Sequence, residues 1–218
     1  MSDRKRVAIL ISGRGSNMRA LVEASRDPSY PAEIALVLAN RPSAAGLAFA
    51  EVARISTCVI DHTTYATRES FDAAIDAQLR SARIDLVALA GFMRIMTAGF
   101  VDTWRDRMIN IHPSLLPSYK GLHTHERALA DGIKLHGCTS HFVRHDVDTG
   151  PIIAQAAVPV FEGDTAEALG ARVLLAEHQL YPHALRLVAS GQARVVNERV
   201  VISGQSAAAA PLINPPLR

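Results

Sequence analysis

The amino-acid sequence predicts an α/β fold: a mostly parallel, open, twisted sheet flanked by helices, with a mixed C-terminal part. Three observations support this prediction. Short runs rich in β-branched residues alternate with longer stretches of helical period, which is typical of βαβ units. The helical stretches have the length of crossover helices. After Asn110 the alternation gives way to a loop and two further apolar runs, which indicate added strands of other orientation.

The first half of the chain contains the predicted parallel strands and their crossover helices. In the third helical stretch, apolar residues from Phe71 to Leu79 cluster largely on one face, as expected for a helix that packs on a sheet. The predicted strands are residues 7–12, 34–39, 58–60, 86–90 and 108–111, and the predicted helices are residues 18–25, 44–53 and 68–81.

The second half begins with a loop marked by proline and glycine at residues 113–121. Apolar runs at residues 137–143 and 152–160 follow, and we expect them to extend the same sheet in mixed orientation. A long helix is predicted from Thr165 to about Ala189, with Asp164 as its N-cap and Glu167 completing a capping box.

The chain ends with a short predicted hairpin and an irregular tail. Residues 193–196 and 199–202 form the two strands of the hairpin. Residues 205–218 are rich in alanine and proline and lack any periodic pattern. We therefore expect a single domain over residues 1–204 and a flexible C-terminal tail over residues 205–218.

Composition narrows the class of function. Of 218 residues, 49% are apolar, which argues against a disordered chain because such chains cannot bury enough surface to fold. The 23 basic and 21 acidic side chains nearly balance, so no strong electrostatic footprint for a nucleic-acid backbone is expected. The sequence favours small-molecule partners, and a homodimer is compatible with it.

The expected compartment is the cytoplasm. Cys58 and Cys138 lie far apart and outside any metal-ligand spacing, which favours buried free thiols in a reducing environment. The N-terminal apolar run, residues 7–11, is too short for a signal sequence or a membrane span. We expect no membrane partner.

Residues 13–17, Gly-Arg-Gly-Ser-Asn, connect the first strand to the first helix. In that position glycines let the backbone approach a ligand, and the helix N-terminus offers unpaired N–H groups and a partial positive charge. Met18 replaces the third glycine of a dinucleotide fingerprint, and Asn40-Arg41 ends the second strand where such sites have an acid. The loop is therefore predicted to bind a single phosphate, the alternative being a plain connecting turn.

Asn110 and His112 lie at the C-terminal end of a predicted strand, where open α/β sheets place their ligands. Residues two apart share a face of a strand, so both side chains project together while Ile111 points into the core. An amide can donate to an oxyanion and a histidine can move a proton near neutral pH. The alternative is a structural histidine.

The segment from His145 to Pro151 is a polar turn between two apolar runs. On local evidence it is an ordinary turn, because aspartate, threonine, glycine and proline are common turn formers. A catalytic role for Asp148 requires that the fold bring it next to His112, whose pKa it would raise.

Five other histidines raise the question of a metal site. His123 and His125 are separated by one residue, and no third ligand follows at a recognised spacing. No metal is therefore expected. The histidines considered are His123, His125, His136, His141 and His145.

Four segments together resemble the phosphoribosylglycinamide formyltransferases. They are residues 11–17 (ISGRGSN), 91–96 (GFMRIM), 110–117 (NIHPSLLP) and 148–151 (DTGP), and the resemblance extends from about Val7 to about Val196. The NIHPSLLP block marks the wider formyltransferase superfamily, whose fold is Rossmann-like. The GRGSN loop and residues 121–125 (GLHTH) resemble the branch that acts on glycinamide ribonucleotide.

The resemblance implies transfer of a formyl group from 10-formyltetrahydrofolate to the amine of glycinamide ribonucleotide in purine biosynthesis, without a metal. The family's catalytic residues correspond to Asn110, His112 and Asp148. The ribonucleotide phosphate would bind at Gly15, Ser16 and Asn17, and its sugar at Glu177. The folate would lie against Asn110 and the following residues: Arg68, Met93, Arg94, Ile95, Met96, Arg144, His145, Asp146, Val147 and Asp148.

Two alternatives remain open. Another enzyme of the superfamily could act on methionyl-tRNA or hydrolyse formyl-folate, but those relatives carry an additional domain for which 218 residues leave no room. A phosphate-binding module without turnover is the second alternative. The intact set of Asn110, His112 and Asp148 argues against that module.

Overall fold

The structure is a computed structural model that describes residues 4–204 and 214–215. Seven strands form one sheet in the order β3-β2-β1-β4-β5-β6-β7. The first five strands in this order are parallel to one another, whereas β6 and β7 are antiparallel additions. The predicted fold class is confirmed. The strands are β1 (Lys5–Ile11), β2 (Ala32–Ala39), β3 (Thr57–Val59), β4 (Leu86–Leu89), β5 (Met108–His112), β6 (Leu135–Phe142) and β7 (Ile152–Pro159).

Helices cover both faces of the sheet. Successive side chains of β1 point to opposite faces of the sheet. Ile9 lies in one apolar core and Leu10 in the other, and both are fully buried. This double burial explains the uninterrupted apolar run, because a central parallel strand has no solvent face. The helices are α1 (Ser16–Ser25), α2 (Gly46–Val52), α3 (Arg68–Ser81), α4 (Ala98–Thr103), α5 (Thr124–Ala130) and α6 (Ala166–Ala189).

Two features differ from the sequence prediction. Helices α4 and α5 have six and seven residues, too few to produce a recognisable helical period, so the sequence does not predict them. The N-cap of α6 is Thr165, not Asp164: the Thr165 hydroxyl accepts a hydrogen bond from the Ala168 amide at 3.2 Å. Asp164 instead accepts two bonds from Arg172, at 2.8 and 2.9 Å, because the arginine lies two turns further along the helix.

The chain continues into the predicted hairpin, β8 (Ala193–Val196) and β9 (Arg199–Ile202), which forms a separate two-stranded sheet. The predicted tail lies mostly outside the described residues. Of its two described residues, Asn214 donates to the carbonyls of Lys134 and Val160. No helix in residues 4–204 is long and apolar enough to cross a membrane. Cys138 is buried as predicted, whereas Cys58 is only partly buried.

Candidate active site

A cavity of about 860 Å³ opens beyond the carboxyl ends of β4 and β5. The strand order reverses between β1 and β4, so the cavity borders a topological switch point, where α/β sheets bind ligands. Its size suits a molecule of cofactor dimensions. Four segments line it, residues 91–96, 110–113, 121–126 and 143–148.

The structure brings Asn110, His112 and Asp148 to this cavity. Asn110 and His112 project from the same face of β5, while Ile111 packs into the core, as the strand period predicts. Asp148 approaches from the loop between β6 and β7, and its Oδ2 lies 3.3 Å from His112 Nδ1. Both side chains are only 7% exposed, so this is a buried pair.

Both ring nitrogens of His112 face oxygen acceptors. Nε2 lies 2.9 Å from the Tyr119 carbonyl oxygen, which can only accept, so we assign a hydrogen to Nε2. Nδ1 faces Asp148. Burial lowers the pKa of His112 below its ordinary value, and the Tyr119 carbonyl and the Asp148 carboxylate offset this only in part. Asp148 thus acts in the expected direction, but burial has the larger effect, which favours the neutral imidazole with its unprotonated Nδ1 facing Asp148.

The Asp148 carboxylate is held as an anion. Its Oδ2 accepts a hydrogen bond from the Gly121 amide at 2.9 Å. Burial acts to raise the pKa of Asp148, but the neighbouring His141, the Gly121 amide and the proximity of His112 outweigh it and leave the pKa below its usual value. The loop needs a glycine at position 150, because a Cβ there would lie 1.7 Å from the Phe142 carbonyl oxygen.

His141 also belongs to the site, although the sequence predicts no role for it and argues against a metal ligand. It pairs with Asn110 across β5 and β6. Its Nδ1 lies 2.8 Å from the Phe142 carbonyl, which assigns the hydrogen to Nδ1, and Nε2 can then accept from Asn110 Nδ2 at 3.3 Å. One amide hydrogen of Asn110 is thereby fixed and the other remains for a ligand. Only the antiparallel register could have revealed this contact.

The loop after β5 is held rigidly beneath the site. The Thr139 hydroxyl donates to the Ser114 carbonyl at 2.6 Å and accepts from the Leu116 amide at 3.0 Å. The Ser114 hydroxyl donates to the Ser118 carbonyl at 2.6 Å. These bonds fix the position of the Tyr119 carbonyl, which in turn orients the imidazole of His112.

The glycine-rich loop meets the first turn of α1 beside this cavity. Gly15 has φ +70°, and a Cβ there would lie 3.0 Å from Met18 Cε and 3.2 Å from Gly46 Cα, so only glycine fits without displacement. No side chain caps α1, which leaves its first N–H groups available to an anion. Ser12 joins the two regions: its hydroxyl accepts from the Met93 amide at 2.7 Å.

Glu177, on α6, is buried against the same loop. Its Oε2 accepts from Asn17 Nδ2 at 2.7 Å, and Asn17 Oδ1 has no hydrogen-bond partner among the described residues. Burial raises the pKa of Glu177, and the Asn17 amide opposes that shift. A buried carboxyl next to an unpaired amide oxygen suits a ligand with hydroxyl groups.

All but one of the remaining predicted folate contacts line the cavity. Met93, Ile95 and Val147 line the cavity with apolar side chains that are 61%, 57% and 48% exposed, and they form an apolar mouth. Arg68 is exposed at the start of α3 and does not line the cavity. The others, Arg94, Met96, Arg144, His145 and Asp146, all line it.

Within residues 4–204 no group of three or more histidine, cysteine or acidic side chains has the arrangement of a metal site. His125 and His136 instead contact each other, with Nδ1 and Nε2 3.2 Å apart. His136 is fully buried, and this burial lowers its pKa to about 4.

This buried histidine predicts acid instability. Below pH 6.5 the imidazole of His136 is protonated in the unfolded chain but stays neutral in the folded protein. The free energy of unfolding therefore decreases as the pH falls from 6.5 towards about 4. The loss should reach about 3 kcal/mol. Urea unfolding at a series of pH values measures it, and His136→Leu should flatten the decline. The exposed His123→Gln is the control, and an equally deep decline in both variants would contradict the assignment.

Comparison with known proteins agrees with this geometry. Residues 5–185 match the formyl transferase family. The chain is 39% identical over 199 residues to phosphoribosylglycinamide formyltransferase of Escherichia coli (strain K12), covering 91% of this chain and 94% of that protein. A glycinamide ribonucleotide transformylase 1 from Symbiobacterium toebii superposes with a TM-score of 0.89 at 44% identity, covering 91% of this chain and 94% of that one.

A longer relative matches in part. The chain is 55% identical over 186 residues to the trifunctional purine biosynthetic protein adenosine-3 of Homo sapiens. This match covers 85% of the chain but only 18% of the length of that relative.

Proposed function

The chain belongs to the formyl transferase family and, within it, to the phosphoribosylglycinamide formyltransferases, and from this premise we propose how it works. It transfers a formyl group from 10-formyltetrahydrofolate to the amine of glycinamide ribonucleotide, a step of purine biosynthesis. The observation that carries the proposal is the buried contact of His112 with Asp148 beside Asn110.

In the proposed reaction the uncharged amine attacks the formyl carbon. A carbon–nitrogen bond forms, the formyl oxygen becomes an oxyanion, and the attacking nitrogen becomes acidic. The free amide hydrogen of Asn110 donates to that oxyanion. The proton of the nitrogen passes to the contact between His112 and Asp148, where Nδ1 of neutral His112 accepts it and Asp148 stabilises the imidazolium that results.

Collapse of the tetrahedral species restores the carbonyl and breaks its bond to N10 of the folate. The proton held by His112 passes to N10, directly or through a water molecule, so that tetrahydrofolate leaves neutral. Atoms and charges balance without a metal or a covalent enzyme intermediate. Direct transfer requires both substrates in place together, with the enzyme supplying their orientation.

The two substrates occupy adjoining regions in this proposal. The ribonucleotide phosphate binds the loop at Gly15, Ser16 and Asn17, where N–H groups of α1 are free, and its sugar contacts Glu177. The folate lies in the cavity against residues 93–96 and 144–148. Its apolar mouth suits an extended aromatic molecule.

Competition among acceptors tests the function. Purified protein is mixed with 10-formyltetrahydrofolate and offered glycinamide ribonucleotide, methionyl-tRNA and water, and each formylated product is quantified. We expect formyl glycinamide ribonucleotide as the dominant product. Formylation of the tRNA or release of formate would instead favour the alternative enzymes, and binding without any product would favour a non-catalytic module.

Gly15→Val tests the phosphate loop. The added side chain would collide with Met18 and Gly46 and displace the N–H groups of α1. The KM for the ribonucleotide should rise about a hundredfold, as expected when charge-assisted hydrogen bonds are lost. The KM for the folate should stay nearly constant. Gly99→Val, at a glycine with open space around it, is the matched control. Equal changes in both KM values would contradict the assignment.

A further inference from the structure

The base of the hairpin formed by β8 and β9 packs on the main core, and its tip lies beside residues 144–148, the loop that lines the cavity. Ala193 is buried in the main core, and Val195, Val200 and Ile202 pack against it. At the tip, Asn197 and Glu198 have φ values of 50° and 57° and form the two-residue turn between paired Val196 and Arg199. Such turns favour glycine at the second position, so a glutamate there occupies a strained backbone.

The Glu198 side chain makes contacts that account for its presence. Its Oε2 accepts from Arg144 Nε at 2.7 Å, and its Oε1 accepts from Arg105 Nη2 at 2.6 Å. Arg144 is the first residue of the cavity loop over residues 144–148, which ends at Asp148. The hairpin tip therefore contacts the root of the segment that carries the catalytic carboxylate.

Arg144 is held on several sides. Besides Glu198, its Nη2 donates to Asp106 Oδ1 at 2.7 Å and its Nη1 donates to the Val143 carbonyl at 3.0 Å. The Arg144 side chain is only 10% exposed, although its two carboxylate partners are about half exposed. An arginine this buried, with Nε and both Nη atoms engaged, is fixed in one geometry, unlike a surface ion pair.

A second polar contact lies next to the ion pairs of Arg144. His145 Nε2 is 2.9 Å from Asp102 Oδ1 at the end of α4. The first two residues of the loop, 144 and 145, are thus bound to α4 and to the turn after it. The hairpin tip contacts Arg144 as well, through Glu198.

We propose that Glu198 is a positioning residue for the transfer reaction: through Arg144 it holds the loop of residues 144–148 against the cavity and so places Asp148. The inference rests on the proposed function only in assigning the folate and Asp148 to this site. The consequence for binding is specific, because the loop forms a wall of the folate cavity, whereas residues 13–17 do not line that cavity.

Glu198→Gly separates this role from the stability of the turn. The glycine relieves the left-handed backbone while removing the carboxylate, so the hairpin itself should not be weakened. We expect the KM for 10-formyltetrahydrofolate to rise about tenfold and the KM for the ribonucleotide to stay within about twofold. Glu198→Asp should recover part of the loss.

Asn197→Gly is the matched control, because it changes the adjacent turn residue, which makes no side-chain hydrogen bond within residues 4–204. A folate KM that is unchanged in Glu198→Gly, or raised equally in Asn197→Gly, would overturn the proposal. A merely structural role would lower the active fraction and leave both KM values alone.

A double-mutant cycle identifies the route through Arg144. Arg144→Met combined with Glu198→Gly should raise the folate KM no further than the larger single change, whereas multiplied effects would contradict the route. Hydrogen exchange of residues 143–150 gives a readout without substrates, and Glu198→Gly should accelerate it. If the chain proved inactive toward glycinamide ribonucleotide, this exchange measurement would still decide the positioning role.

Discussion

Asp148→Asn is expected to lower kcat about a thousandfold while the affinity for glycinamide ribonucleotide is retained. The amide keeps the shape of the carboxylate but can no longer stabilise the imidazolium of His112. Its N–H can also donate to Nδ1 and occupy the lone pair that should receive the proton of the amine. Steady-state kinetics and calorimetric titration of the ribonucleotide measure the two effects separately.

The control for this variant is Glu162→Gln, which makes the same chemical change at an exposed residue remote from the cavity. It should match the parent protein in both measurements. Equal turnover of Asp148→Asn and the parent would refute the role of the carboxylate. A matching loss of ribonucleotide affinity would indicate general misfolding instead.

Asn110→Ala is expected to have the second largest effect. It removes the donor to the oxyanion, and loss of one such donor costs about 3–4 kcal/mol of transition-state stabilisation, or about 10²–10³ in kcat. Tetrahydrofolate affinity should change little, because the oxyanion exists only during the reaction. Kinetics combined with equilibrium binding of tetrahydrofolate test this separation.

His141→Gln provides a graded comparison for that variant. It disturbs the residue that orients Asn110 but leaves the donor itself, so its loss of kcat should lie between the parent and Asn110→Ala. A kcat for Asn110→Ala within about tenfold of the parent would contradict the assigned role.

Much of this site could be predicted from local pattern. The strand period places Asn110 and His112 on one face, and the strand–turn–helix context identifies the loop at Gly15. Asp148 is different. Nothing local distinguishes it from a turn residue; the resemblance implies its role, and the 3.3 Å contact with His112 supports the proposal.

What the sequence could not provide is cross-strand register and the outcome of competing charges. The pairing of Asn110 with His141 depends on how β6 meets β5. The pKa of His112 depends on whether burial or the attraction of the Asp148 carboxylate has the larger effect, and the sequence does not decide between them. The N-cap of α6 shows the same limit, because Arg172 draws Asp164 away from the helix end.

The central claim is direct transfer from folate to ribonucleotide at the Asn110, His112 and Asp148 site. A single-turnover experiment with 10-formyltetrahydrofolate labelled in the formyl group tests it most directly. We expect the label to move into glycinamide ribonucleotide only when both substrates are present, with none retained on the denatured protein. Label bound covalently to the protein, or released as formate at the same rate with and without the ribonucleotide, would contradict the claim.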